Sequence, residues 1–206
     1  MVIDNKTINK YIYENLLKDC DFELTQNDLE QIETIAYSGL KLIDKKDVYA
    51  YNFMKYLTNL KSFFVEYVPV NDEIIENLNS IGSLENLSLY FCLISTNNKI
   101  DCNIKNVYID KCNCSDFSFI SKLDTLEELK LINVETIDIN DIKKFENLKT
   151  LYICNSKIIN AEILNLFKNL SLLVLDGSEL DNEESIIELE KNIQVQRNEF
   201  YCGTTV

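Results

Sequence analysis

Apolar residues recur along this chain as a ladder with a period near 22. Leu126, Leu129 and Leu131 return as Leu148, Leu151 and Ile153, then as Leu170, Leu173 and Leu175. The first rung of each unit falls at Ile32, Leu60, Leu84, Ile104, Leu126, Leu148 and Leu170, at spacings of 28, 24, 20, 22, 22 and 22. A fixed period in this range marks a solenoid, in which a unit too small to bury its own apolar face stacks on copies of itself. Inside a unit the fourth and sixth positions are apolar, as in Ile35 and Tyr37, Phe63 and Val65, Leu87 and Leu89, or Val107 and Ile109. They alternate with the third, fifth and seventh positions, which is the two-residue period of a strand. Each unit is expected to contribute one short strand, and the strands to stack into a parallel sheet.

The ninth position holds Leu40, Val68, Cys92, Cys112, Val134, Ser156 and Ser178. A polar side chain there would bond the backbone where the chain turns away from the sheet. Cys and Ser suit that role. Leu40, Val68 and Val134 do not, so the backbone groups beside them need other partners. The eleventh position, expected to be mostly inward, holds Leu42, Val70, Ile94, Cys114, Thr136, Ile158 and Leu180. Residues 7–18 place Ile8, Tyr11, Ile12, Asn15 and Leu16 on one helical face behind a Thr7 N-cap, a helix suited to covering the first strand. Residues 160–167 give the clearest helical reading between strands. Ile193 and Val195 predict a closing strand, with Gln194 at its fifth position.

The unit L-x-x-L-x-L-x-x-N/C-x-L resembles the leucine-rich-repeat family in its short, 22-residue class. The segment Leu24-Thr25-Gln26-Asn27-Asp28-Leu29-Glu30-Gln31-Ile32-Glu33-Thr34-Ile35 is similar to the step from helical cap to first repeat in bacterial internalin-type proteins. Together these resemblances cover roughly residues 24–197. They imply an α/β fold: a right-handed leucine-rich-repeat solenoid with a parallel sheet on its concave face, short helices on its convex side and a helical N-terminal cap. The expected organisation is one domain, with the cap at 1–31, about seven repeats at 32–188, and a closing strand and tail at 189–206. Internalins are secreted and often wall-anchored, so the resemblance also implies an adhesin as one possible role.

Composition narrows the partner. The chain has 206 residues, 46% of them hydrophobic, enough for one continuous core. It carries 34 acids against 20 bases, a net charge of −14. Such a chain is repelled by phosphate backbones and anionic lipid, which argues against nucleic acid or a membrane surface and toward a protein or peptide with a basic patch. The alternative reading is that the acidity only keeps the solenoid soluble. The N-terminal residues show no basic stretch followed by an apolar run, and no stretch approaches the length of a membrane span. Seven scattered cysteines read as reduced thiols, and a cytoplasmic location is expected. The abundance of Asn, Ile and Lys is read as codon bias.

The positions between the core leucines point outward from the sheet. They collect Phe64, Tyr67, Tyr90, Phe91, Tyr108 and Tyr152, with Glu66, Asp110, Glu128 and Asp176 nearby and Lys130 among them. Clustered exposed aromatics supply large contact area at low entropic cost, and acids beside them select a basic partner. Two readings compete, because Tyr and Phe also form good strands and stack across a sheet. Tyr67 and Phe91, at the strand ends, are expected to be the more buried of the set.

Catalytic chemistry finds little support. There is no histidine, so Ser-His-Asp and Cys-His arrangements are impossible and the commonest metal ligand is missing. Neither G-x-x-x-x-G-K nor G-x-G-x-x-G occurs. Cys92, Cys102, Cys112 and Cys114 match no zinc-site spacing, and the repeat register already explains three of them. Cys154 falls on the outward face with no cation nearby and is expected to be inert. Asp176-Gly177-Ser178-Glu179-Leu180-Asp181 lacks the alternating ligands of a calcium loop and reads as a turn. No cofactor, metal site or catalytic residue is expected. The chain reads as a non-catalytic protein-recognition scaffold, either an intracellular regulatory, effector or immunity-type binding protein or a secreted or surface adhesin of internalin type.

Overall fold

A computed structural model describes residues 26–39, 51–114 and 116–198. The cap helix expected at 7–18, and Leu40 and Leu42 of the first unit, lie outside the described residues. Eight parallel strands form one sheet in chain order: β1 (Thr34–Ser38), β2 (Ser62–Glu66), β3 (Asn86–Tyr90), β4 (Asn106–Asp110), β5 (Glu128–Ile132), β6 (Thr150–Cys154), β7 (Leu172–Val174) and β8 (Gln194–Gln196). Their pairing keeps like positions opposite one another, so Phe63 faces Leu87, Leu87 faces Val107 and Leu129 faces Leu151. The uneven spacings of the early units therefore leave the strand register untouched. Only the last strand shifts from expectation: Gln194 pairs with Leu172 and so sits at the third position, not the fifth.

The fourth and sixth positions of every unit whose side chains are described are buried, and they join a single core that runs from Leu29 to Leu189. Fully burying one such aliphatic side chain contributes about 1.5–3 kcal/mol, and a solenoid repeats that gain at each step. Below the main sheet the chain leaves each strand through a second, shorter ladder. One ribbon pairs Pro69–Val70, Leu93–Ile94 and Asn113–Cys114; another pairs Thr136–Asp138, Lys157–Ile159 and Glu179–Leu180. The eleventh position of the fifth unit differs from expectation. Thr136 pairs with Lys157 and is exposed, while Ile137 pairs with Ile158 and is buried. Glu135 is one extra residue in that turn, and it moves the inward position by one.

Unit length selects the element on the far side from the sheet. The 24-residue unit starting at Leu60 has room for a two-turn α-helix, α1 (Asp72–Asn79), which buries Ile74, Ile75 and Leu78. Its N-cap Asn71 accepts a hydrogen bond from the Ile74 N–H at 3.1 Å. The 20-residue unit that follows has no helix among its described residues. The 22-residue units carry a single short helical segment each: Ser118–Ile120, α2 (Ile139–Ile142) and Ala161–Leu166. The segment expected to be the clearest helix is thus a 3₁₀ turn, which spans more length per residue than an α-helix and suits the shorter unit.

Polar ladders hold the units in step. At the ninth position the cysteine and serine side chains serve the unit before them. Ser156 Oγ accepts from the Val134 N–H and donates to the Cys154 carbonyl, Ser178 Oγ accepts from the Ser156 N–H, and Cys112 Sγ accepts from the Cys92 N–H and donates to the Leu89 carbonyl. Val134 therefore needs no polar group of its own; the next serine satisfies its N–H. The asparagines absent from this column act one residue before the first rung. Asn59, Asn147 and Asn169 each donate to a carbonyl one unit back, those of Glu30, Asp124 and Glu146, at 2.7–2.9 Å. Part of the asparagine excess read as codon bias is therefore structural.

The second position carries a charge ladder. It reads Glu33, Lys61, Glu85, Lys105, Glu127, Lys149, strictly alternating. Lys61 pairs with Glu33, Lys105 with Glu85 and Lys149 with Glu127 at 2.8–3.1 Å. Glu127 feels both neighbours: the hydrogen bond and charge of Lys149, and then the charge of Lys105, hold its carboxyl below its ordinary range.

The buried serine bond gives the first test. Ser156→Ala leaves the buried Val134 N–H without an acceptor and is expected to lower the unfolding free energy by about 1–3 kcal/mol. The exposed Ser171→Ala should change it by less than about 0.5 kcal/mol. Urea denaturation of both variants decides the matter, and equal effects would show that the ninth-position ladder carries no stability.

Candidate functional site

The outer face of the sheet, the one turned away from the core, is built from three kinds of ladder. At the third position, Asn86 Nδ2 donates to Ser62 Oγ at 3.0 Å and Asn106 Nδ2 donates to Asn86 Oδ1 at 2.8 Å. These side chains are fixed by one another along the strand starts. At the fifth and seventh positions, rings meet on the diagonal between strands. Phe64 and Tyr90 have centroids 4.7 Å apart, and Tyr90 and Tyr108 are 4.8 Å apart, tilted by 34° and 35°. That spacing and tilt are favourable for aromatic pairs. The row is half-buried and runs across β2, β3 and β4.

The eighth position is the third ladder. Tyr67, Phe91, Lys111, Asn133, Asn155 and Gly177 all have positive φ, between 49° and 66°. Each donates its N–H to the seventh-position carbonyl of the next unit, or for Gly177 to that of Asn198, and there turns the chain off the sheet. Asn and Gly adopt this left-handed conformation at low cost, whereas Tyr, Phe and Lys do so with strain. The turn swings Tyr67 and Phe91 beyond the strand ends. They are therefore the most exposed aromatics of the set, at 38% and 39%, which reverses the expectation that they would be the more buried. Their rings stack on each other at 4.6 Å and 8°, and Lys111 Nζ sits 5.0 Å from the centre of Phe91.

The two ends of the face differ. Over β2 to β5 it forms a groove of about 750 Å³ lined by Phe64, Glu66, Tyr90, Phe91, Tyr108, Asp110, Glu128 and Lys130, among others. Over β5 to β7 it closes: Ile132, Cys154 and Val174 pack together with Tyr108, Tyr152 and Leu172 into a small apolar cluster separate from the core. Lys130 joins the two ends. Its ammonium lies 4.7 Å from the centre of the Tyr152 ring and bridges Glu128 at 3.0 Å.

Of the residues singled out in the sequence, Phe64, Glu66, Tyr90, Phe91, Tyr108, Asp110, Glu128 and Lys130 come together around the groove. Tyr67 stands at its rim against Phe91. Tyr152 belongs to the closed end. Asp176 is 8% exposed, and its Oδ1 accepts from both the N–H and the Nδ2 of Asn198, so it is engaged in holding the last strand. Sequence reasoning missed Asn86, Asn106 and Asn133, which also line the groove; Asn133 Nδ2 donates to Asp110 Oδ1 at 2.8 Å. Their signal was the recurrence of asparagine at the third and eighth positions.

Among the described cysteines, the hydrogen bond with Cys112 lowers the buried Cys92 thiol, and the other thiols are raised, away from reactivity. Cys154 is fully buried, and burial together with the Asp176 charge pushes its thiol up to about 11. Burial raises Cys102 and Cys114 to about 11 as well. Among the described residues no three of Cys, Asp and Glu are grouped to hold a metal ion, and Asp181 accepts instead from the backbone N–H groups of Asn160 and Ala161. Nor, among them, is any helix long and apolar enough to cross a membrane.

The sequence matches no protein-family model, and no curated protein matches it significantly. The structure is similar to solved leucine-rich-repeat proteins. Internalin C2 of Listeria monocytogenes aligns with a TM-score of 0.56 and 16% identity over 85% of both chains. A second internalin of the same organism gives 0.57 and 16% over 89% of this chain and 60% of that one. A leucine-rich-repeat protein of Leptospira interrogans gives 0.55 and 20% over 69% of this chain and 38% of its own length. The fold is therefore a leucine-rich-repeat solenoid.

The shift of Cys154 makes a direct prediction. Raising a thiol from 9.0 to about 11 lowers its thiolate fraction at pH 8 about a hundredfold, before the reagent's restricted access is counted. Iodoacetamide at pH 8 should label the Cys154 peptide at least about a hundredfold more slowly in the native protein than in urea. Comparable rates in peptide mass spectrometry would show that the outer-face cluster does not exclude solvent.

Proposed function

We propose that this chain is a non-catalytic recognition scaffold that binds a partner protein or peptide through the groove on the outer, concave face of its sheet. The observation that carries the reading is the fixed ring row Phe64–Tyr90–Tyr108, which lines an open groove instead of closing over the sheet. The competing idea, that these aromatics serve only to stabilise strands, accounts for the ring contacts but not for the groove. It does account for Tyr152 and the closed end, where the packing leaves little to bind. A rigid sheet held by three side-chain ladders loses little conformational freedom on association, which favours recognition.

The partner class follows from charge. A chain of net charge −14 favours a protein surface with a basic patch and speeds its approach. An intracellular regulatory, effector or immunity-type role is the reading we favour. The likeness to two internalin structures supports a second one, a secreted or surface adhesin. Locating the full-length protein in the source cell by fractionation and antibody separates the two: recovery only from cytosol ends the adhesin reading, and recovery only outside the cell ends the intracellular one.

Recognition itself is tested by affinity capture followed by calorimetry with the partner so identified. Tyr90→Ala and Tyr108→Ala are each expected to weaken binding by roughly 2 kcal/mol, about thirtyfold, as central aromatic anchors do. Lys168→Ala, exposed and outside the groove lining, should leave it unchanged. Equal affinities for all three would end the reading.

A further inference from the structure

The charges along the groove are mostly spoken for. Lys130 bridges Glu128, and Asp110 accepts from the Asn133 amide. Lys111 lies over the Phe91 ring at the rim. Glu66 is different: its half-buried carboxylate meets no hydrogen-bond donor and no cation among the described residues. It also stands in a defined place. The strand register puts Tyr90 directly between Glu66 on one neighbour and Asp110 on the other. Tyr90 is thus flanked at the seventh position by an acid on each neighbouring strand, the strands lying about 4.8 Å to either side.

We propose that this end of the groove seats an arginine side chain of the partner, with Glu66 as its counter-ion and the ring row as its wall. The inference rests on the recognition reading above and names the group recognised. A guanidinium fits the chemistry in three ways. It is planar and packs against aromatic faces, it pairs with carboxylates through two parallel N–H bonds, and it is shed of water more easily than an ammonium. Lysine offers a compact, strongly hydrated charge and gains less from the rings. The site also has a direction. The Lys130 ammonium repels a cation from the β5 side, and the Lys111 ammonium already covers a face of Phe91, so the arginine enters over β2 and β3 against Phe64 and Tyr90, where Glu66 waits. Tyr67 and Phe91 extend the wall past the strand ends at the cost of left-handed backbone, in a column where the last three units use Asn or Gly.

The probe is Nα-acetyl-arginine amide, titrated into the ¹⁵N-labelled full chain and followed by amide shifts. The controls are Nα-acetyl-citrulline amide, which has nearly the same shape without the charge, and Nα-acetyl-lysine amide. The expected result is saturable shifts at Glu66, Tyr90 and Phe91 with arginine, and binding at least about fivefold weaker with citrulline and with lysine. Glu66→Gln keeps the shape of the side chain and should weaken arginine about fivefold without changing the melting temperature. Equal binding of citrulline, tighter binding of lysine, shifts confined to β5–β7, or full affinity in Glu66→Gln would each overturn the proposal. Its failure is separable from failure of the recognition reading, because partner binding that still depends on Tyr90 and Tyr108 would then proceed without an arginine seat.

Discussion

Register is the constraint on which the rest of this molecule depends. Parallel strands pair position to position, so a residue at the fourth place in one unit must meet the fourth place in the next, as Leu129 meets Leu151. A slip of one residue would turn every core leucine to solvent and every outward ring inward. The apolar column alone does not prevent a slip along its own axis, since leucine meets leucine in many ways. The polar columns do. Ser156 reaching the Val134 N–H, Asn147 reaching the Asp124 carbonyl and Lys149 reaching Glu127 each have a single partner one unit back. Hydrophobic burial supplies the stability and these directional bonds supply the alignment.

The grooved face is a by-product of that alignment. Because like positions stack, a tyrosine at one unit and a phenylalanine two residues earlier in the previous one meet on the diagonal, and the row Phe64–Tyr90–Tyr108 is the result. The same stacking explains why the face is not uniform. Where the seventh position holds Glu66, Tyr90 and Asp110, a groove stays open; where it holds Ile132 and Cys154, the side chains are small and apolar enough to close over one another.

The sequence made the strands and the core legible because a period of two inside a period near 22 leaves few alternatives. It made the groove residues on the strands legible for the same reason: once the fourth and sixth positions are inward, Phe64, Tyr90 and Tyr108 have only one direction left. What it did not reveal depends on backbone shape and on side chains acting across units. Tyr67 and Phe91 looked like buried strand ends, and only the left-handed turn at the eighth position brings them into solvent. Asp176 looked like another outward acid until Asn198 came round to meet it. The inward place of Ile137 was hidden by one extra residue, Glu135, which no periodicity of the chain announces. The helix Asp72–Asn79 lies outside the leucine columns, and only the greater length of its unit marks it in the spacing.

The alternation of glutamate and lysine at the second position gives this solenoid a parity. Excising one interior unit would set Glu against Glu or Lys against Lys along the exposed flank, whereas excising two restores opposite neighbours. Duplication obeys the same arithmetic. The pattern ends at the neutral Ser171, so beyond that point a unit of either sign could be appended. Such a molecule would lengthen or shorten most readily by pairs of coils within its body and by single coils only at its far end.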